Sequence, residues 1–195
     1  VARGSTTHKL GPHQDPAVDA AILSATRRLL VEVGYSDITI NSIAAAAGVG
    51  RPAVYRRWPA KVHIVHEAVF PPLTAEWVSD DQVENEVRRL VFGAVALFGD
   101  PVTREAVPGL MCDMRSDPAL KKVLAERLLA GAREGLAQTL ADGARAGQVR
   151  PGIDAGTLLD TLAGAAIVAL SIREVDDLER LATSLTDLLL HGILA

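Results

Sequence analysis

The chain has one cysteine, Cys112, among 195 residues. That excludes an intrachain disulfide, and without a Cys/His cluster at zinc-site spacing it gives no reason to expect a cofactor or metal, so a reducing cytoplasm is the expected location. Aromatic residues are equally scarce, at three Phe, two Trp and two Tyr. A sandwich or barrel would want more aromatic and β-branched residues, so an all-α fold is expected. Long apolar runs are missing too. The longest, Thr161 to Ile172, suits a buried helix better than a membrane span of about 20 residues, and no membrane partner is expected. The opening residues lack the apolar core of a signal peptide.

Acidic residues are absent from Ile38 to His66, the stretch that holds Arg51, Arg56, Arg57 and Lys61. The formal charge of −4 therefore hides a division: residues 1–70 carry +3 and residues 71–195 carry −7. A local positive field of this kind suits phosphates, and the acidic remainder would repel them.

Punctuation divides the chain into about nine helices. Residues 1–14 are polar, with no apolar period to bury, and read as a mobile basic arm. Asp15-Pro16 starts a first helix carrying Val18, Ile22, Ala25, Leu29 and Val33 as far as Gly34. Thr39 caps a short second helix that stops at Gly48, and a third runs from about Arg51 to Arg57 with Pro52 in its first turn. A fourth spans Ala60 to Pro71-Pro72. Beyond it, Ser79 to Asp81 cap a long helix ended by Gly99, and Thr103 to Arg115 should be kinked or broken at Pro108. Helices from Pro118 to Gly147, Asp154 to Ile172 and Asp176 to Leu194 follow. The expected domains are 15–72, for nucleic acid, and 73–195.

Thr39 to Lys61 has the grammar of a helix-turn-helix: short helix, glycine-containing turn, short helix with a free polar face. Ala44, Ala47, Val49 and Val54 are small enough for the helices to cross closely, leaving Asn41, Arg51, Arg56 and Arg57 outward. Arginine fits a guanine edge bidentately and asparagine an adenine edge. Tyr55 and Lys61 are better suited to phosphates, which set register and carry no sequence information.

Gly34-Tyr35, Thr39-Ile40, the run Ile43 to Val49, Val54-Tyr55 and Trp58-Pro59-Ala60-Lys61 together resemble the DNA-binding signature of the TetR family over roughly residues 16–70. The resemblance implies that Arg51 to Arg56, with Pro52 and Ala53, form the base-reading helix, and that Thr39, Tyr55, Arg57 and Lys61 match phosphate-contacting positions. Trp58 replaces the commoner Phe in the core, and Gly50 departs from the usual Ser or Thr cap. It also implies a helical C-terminal domain for dimerisation and for binding a small-molecule effector, with operator release on binding. Phe92, Phe98, Leu110, Met114, Leu128 and Leu162 are candidate pocket residues, with Arg104 or Arg115 as polar anchors.

The run Ala163 to Leu170 is too apolar for a helix with one wet face. With the leucine stripe that follows, it predicts a homodimer interface containing Ala166, Leu170, Leu181, Leu185, Leu188 and Leu189. A two-fold dimer also suits a reader whose single short helix covers few base pairs of double-stranded DNA. Gly48-x-Gly50-x-x-Ala53 fits a dinucleotide fingerprint, but Pro59 ends the following helix too soon for a crossover. His63 and His66 lack a third metal ligand, Cys112 reads as a small hydrophobe, and no catalytic group stands out. The competing class is a helical protein-interaction module with only non-specific DNA affinity.

Overall fold

The computed structural model describes residues 15–70 and 82–193, without the side chains of 119, 123–131, 192 and 193. It is all-helical: α1 (Pro16–Asp37), α2 (Ile40–Ala46), α3 (Arg51–Tyr55), α4 (Lys61–Val69), α5 (Val83–Gly99), α6 (Pro101–Ser116), α7 (Pro118–Arg145), α8 (Ala155–Ile167) and α9 (Leu178–Ile193), with a π-helical turn, Val168–Ile172, continuing α8. The expected arm at 1–14 and the caps at Ser79 to Asp81 lie outside the described residues.

Local chemistry sets most boundaries. Asp15 accepts from the Ala17 amide at 2.9 Å to open α1, and Asp154 accepts from the Thr157 amide at 2.7 Å to open α8, each satisfying one of the orphan donors of a first turn. The bonds from Thr157, its amide first and then its hydroxyl, hold the Asp154 carboxyl below the ordinary range. Regular geometry in α1 is interrupted at Gly34, the expected stop, before a last turn reaches Asp37. The expected break at Pro108 does not occur. Helix α6 runs unbroken from Pro101 to Ser116 with Pro108 on its exposed side.

Three apolar clusters hold the described residues together. The first gathers Ile22, Leu30, Ile43, Val54, Trp58 and Ile64 from α1 to α4, and takes in Val102, Ala106 and Leu110 from α6. This core therefore extends past residue 72 into α6. The second joins Val87 and Val91 of α5 to Leu136 of α7, Leu158 and Leu162 of α8 and Leu190 of α9. The third is Phe98, Val107, Ala166, Ala169 and Leu170, with Phe70 at its edge.

Helix α6 is the hinge plate between the first four helices and the rest. Gly109 lies under the Tyr35 ring so closely that a Cβ there would fall 2.1 Å from a ring carbon. The Tyr35 hydroxyl donates to Asp113 Oδ2 at 2.6 Å. Burial first, and then that hydrogen bond, push the phenol far above its ordinary value. A second tie joins Arg27 to Asp100 at 2.7 Å and to the Ala68 carbonyl at 2.8 Å, linking α1, α4 and the α5–α6 corner.

Two interface expectations need correcting. Ala166 and Leu170 are 0% and 1% exposed and belong to the third cluster, so they pack within the chain and are not on its surface. The outward side of that helix carries Thr161, Gly164, Val168 and Ile172 instead. Leu181, Leu185 and Leu189 are half-buried against the second cluster, and Leu188 stands out at 68% exposure.

Candidate nucleic-acid interface

Helix α2 begins with a reciprocal cap: the Ser42 amide donates to Thr39 Oγ1 at 3.0 Å, and the Thr39 amide donates to Ser42 Oγ at 2.9 Å. It ends where Gly48 takes φ +68°, a left-handed turn that favours glycine. The Val49 amide then bonds back to the Ala44 carbonyl at 3.0 Å, which fixes the angle at which α3 departs. Gly50 occupies the cap of α3 with no side-chain bond, and Pro52 sits in the first turn, where its missing N–H costs nothing. Val54, fully buried, anchors α3 on Ile43 and Trp58. Trp58 is itself held, its indole N–H donating to Glu67 Oε2 at 2.8 Å.

Anchoring through Val54 turns the opposite side of α3 to solvent. Arg51, Pro52, Tyr55 and Arg56 are exposed there, together with Thr39 and Asn41 from α2; Ala53 is half-buried. Arg51 donates to Asn41 Oδ1 at 3.4 Å, a loose bond that brings these two residues to one place. Neither Arg51 nor Arg56 has a carboxylate within ion-pair distance among the described residues. Their charge is unneutralised on a face formed by two short helices.

Two residues of the expected phosphate set are placed differently. The Arg57 side chain is only 8% exposed, paired with Asp19 of α1 and donating to the Ala53 carbonyl at 3.0 Å. It braces α3 against α1. Lys61 is half-buried, its ammonium donating to the Tyr35 carbonyl at 2.9 Å and lying 4.3 Å from the centre of the Tyr35 ring. That ties the start of α4 to the residue that α6 grips. Asp19, Tyr35 and Asp113 were not found by reading the sequence, because each meets its partner from a distant segment.

The six candidate pocket residues do not converge. Leu110 and Met114 pack in the first cluster, Phe98 in the third and Leu162 in the second, while Phe92 is 40% exposed and the Leu128 side chain lies outside the described residues. Arg104 donates to the Val175 carbonyl at 3.0 Å, and Arg115 is exposed at the end of α6. His63 and His66 have no third ligand among the described residues; the His66 ring packs 5.3 Å from Phe70. The glycine fingerprint at Gly48 follows a helix, not a strand. Cys112, expected to be buried, is exposed on α6.

Comparison with known proteins bears on both parts of the chain. Residues 22–68 match the model of bacterial regulatory proteins of the tetR family, and residues 79–189 match that of a tetracyclin repressor-like C-terminal domain. An uncharacterised HTH-type transcriptional regulator of Mycobacterium bovis is 33% identical over 138 residues, 67% of this chain and 69% of that protein. With another from Mycobacterium tuberculosis, 28% identical over 120 residues, the match covers 54% of this chain and about half of the relative's length, 52%. Among solved structures, FadR of Bacillus subtilis in complex with stearoyl-CoA superposes with a TM-score of 0.71 at 20% identity, over 89% of this chain and 98% of that one. A transcriptional regulator of Saccharomonospora viridis in complex with choline gives 0.68 at 21% identity, over 93% and 100%. The helix-turn-helix at Thr39 to Lys61 and the helical region behind it thus each match a tetR-type model, and the chain belongs to the TetR family of DNA-binding, non-enzymatic transcriptional regulators.

Proposed function

We propose that the chain is a cytoplasmic repressor that binds a pseudo-palindromic operator as a homodimer and leaves it when a small-molecule effector enters the region 73–195. The observation that carries this reading is the exposed α3 face, where Arg51 and Arg56 have no counter-charge within the described chain. In the reading, Arg51, Pro52, Ala53 and Arg56, with Asn41, meet base edges, and Thr39 and Tyr55 hold phosphates. Lys61 can add long-range attraction, while Arg57 serves as a brace. Residues 15–72 supply the reading head, and 1–14 an accessory basic arm.

A second copy supplies what the surface of α8 lacks. The segment Ala155–Ile172 has a mean hydropathy of 1.7 over 18 residues and is only 39% buried, so by length and composition it is apolar enough to cross a membrane. Its outward side includes Val168 at 47% and Ile172 at 72% exposure, and α9 adds Leu188. Covering these on a two-fold axis removes the apolar surface and supplies the second α3 helix that paired half-sites about 34 Å apart require.

Effector coupling would run through α6 and α4. An effector that separates α5 from α8 shifts Phe98, whose ring contacts Phe70 at 6.3 Å at the end of α4, and shifts the α6 plate under Tyr35. Only about 1 to 3 kcal/mol of coupling is needed for a several-fold to 150-fold loss of operator affinity. Choline and stearoyl-CoA in two similarly folded regulators support an effector of some kind without choosing one.

Selection from a random pool of double-stranded DNA, at about 0.15 M salt, tests the reading. The expected product is an enriched inverted repeat. A well-folded protein that enriches nothing would overturn it in favour of a helical protein-interaction module.

A further inference from the structure

Helix α5 carries an acid where the pattern of its face calls for an apolar residue. The Glu86 side chain is 0% exposed. Its Oε2 takes the Arg89 guanidinium from the next turn, while Oε1 has no hydrogen-bond partner among the described residues. The first turn of a helix is a favourable place for a carboxylate. Complete burial with one oxygen unsatisfied is not, because each unmade bond to a buried charge carries a desolvation penalty.

The next turn of α5 lines a seam between three helices. Leu90 follows Glu86 by one turn on the same side of α5 and, with Val87, lines a crevice closed by Leu158 and Leu162 of α8 and Leu189 of α9. The free volume is about 10 Å³, barely room for one water, and its walls are entirely valine and leucine. Water has no partners there, so the seam is a dry slot whose nearest unused polar group by helical spacing is Glu86. Arg89, 48% exposed, has its guanidinium already on the other oxygen.

We propose that Glu86 and this seam form the recognition site for a protonated alkylamine, its N–H groups bonding the Glu86 carboxylate and its chain parting α5 from α8 and α9. The slot demands an apolar body, and the unused oxygen demands a donor. An anionic head would be repelled, and a quaternary ammonium has no N–H to give. The site rests on the effector reading above and names its chemistry: a chain forced into the seam displaces the same α5 that carries Phe98 towards α4.

Calorimetric titration of the full chain with octylammonium below its micellar concentration, without DNA, is the test. Octylammonium should bind, and octanol, octanoate and octyltrimethylammonium at least ten-fold more weakly. Glu86→Gln should weaken octylammonium at least ten-fold, as expected for a lost bond to a charged group. Leu162→Phe, which fills the seam and leaves Glu86 untouched, should weaken it as well. Octanoate binding as tightly as the amine, or unchanged amine affinity in a folded Glu86→Gln protein, would overturn the site. Operator selection that succeeds in a protein with no affinity for the amine sinks this site alone; amine binding without any operator sinks the repressor reading and leaves the site standing.

Discussion

The outward faces of α3 and of α8 with its π turn are unfinished in opposite ways. On α3 the buried side is one small residue, Val54, and the outer side is cationic, with Arg51 and Arg56 unpaired by any described carboxylate. On α8 the buried side is a dense apolar row ending in Ala169 and Leu170, and the outer side is apolar again at Val168 and Ile172. Charge without a counter-charge is stable in water and becomes useful only against phosphates or base edges. Apolar surface in water is a standing cost, so it calls for a permanent cover. The contrast separates a reversible contact from a constitutive one: the chain should part from DNA more readily than from its own copy.

The sharpest way to break that comparison is to put charge on the apolar face. Val168→Asp with Ile172→Asp should turn a dimer into a folded monomer in sedimentation equilibrium, because both positions are solvent-facing in the single chain. Operator affinity should then fall by more than 100-fold with the loss of paired half-sites. A double variant that stays dimeric would place the two-fold contact elsewhere.

A smaller effect tests which arginines belong to the cationic face. Arg57→Ala removes one member of a largely buried pair and leaves Asp19, 31% exposed, without it. It should cost about 2 to 3 kcal/mol in urea unfolding, at or below the low end for breaking a buried pair. A phosphate contact would instead leave stability unchanged and lower the salt slope of binding by about 1. Arg56→Ala should do the converse. Stability stays within about 0.5 kcal/mol, as for an ordinary surface substitution, while affinity falls by about 1 to 3 kcal/mol at one operator position. Loss on all sequences alike would make Arg56 a phosphate contact.

The two faces were not equally legible in the sequence. The second and third helices could be read because their signals are local: the Thr39 cap, the Gly48 turn, Pro52 in a first turn, and the small residues between. The pairing of Arg57 was not legible because its partner, Asp19, lies 38 residues upstream and outside the acid-free window that made the arginines look unpaired. The apolar run at Ala163 to Leu170 announced a helix covered on two sides, but which side meets the chain's own core depends on how α8 rolls against α5. Ala166 and Leu170 rolled inward, and Val168 and Ile172 did not. The dispersal of the candidate pocket residues was illegible for a related reason, since apolar side chains at helical spacing look the same in a core and in a cavity. Glu86 was overlooked as one of many acids in an acidic half; its interruption of the Val83–Val87–Leu90 face was the available signal.

The smallest effect probes the join between the two regions. Tyr35 is 8% exposed, under Gly109 and bonded to Asp113, so Tyr35→Phe keeps the packing and removes only the hydroxyl. Leaving Asp113 without its donor should cost about 1 to 2 kcal/mol. Burial and the Asp113 bond raise the phenol's pKa in the folded chain, so the folded state holds that proton more tightly than the unfolded one. The stabilisation is therefore full below about pH 10, the ordinary tyrosine value, and is lost as pH rises beyond it. Urea midpoints for both proteins from pH 8 to 11 should show a gap that is constant at first and narrows above pH 10. With an intact α3 face and an intact dimer, the Phe protein should also respond less to an effector under the proposed coupling, in which the hydroxyl is one of the ties between α6 and α1. A gap that does not narrow would mean that the folded chain does not raise the phenol's pKa, whereas no gap below pH 10 would mean that the bond to Asp113 does not stabilise the folded chain, and the coupling would then rest on the Gly109 contact and the Arg27–Asp100 pair alone.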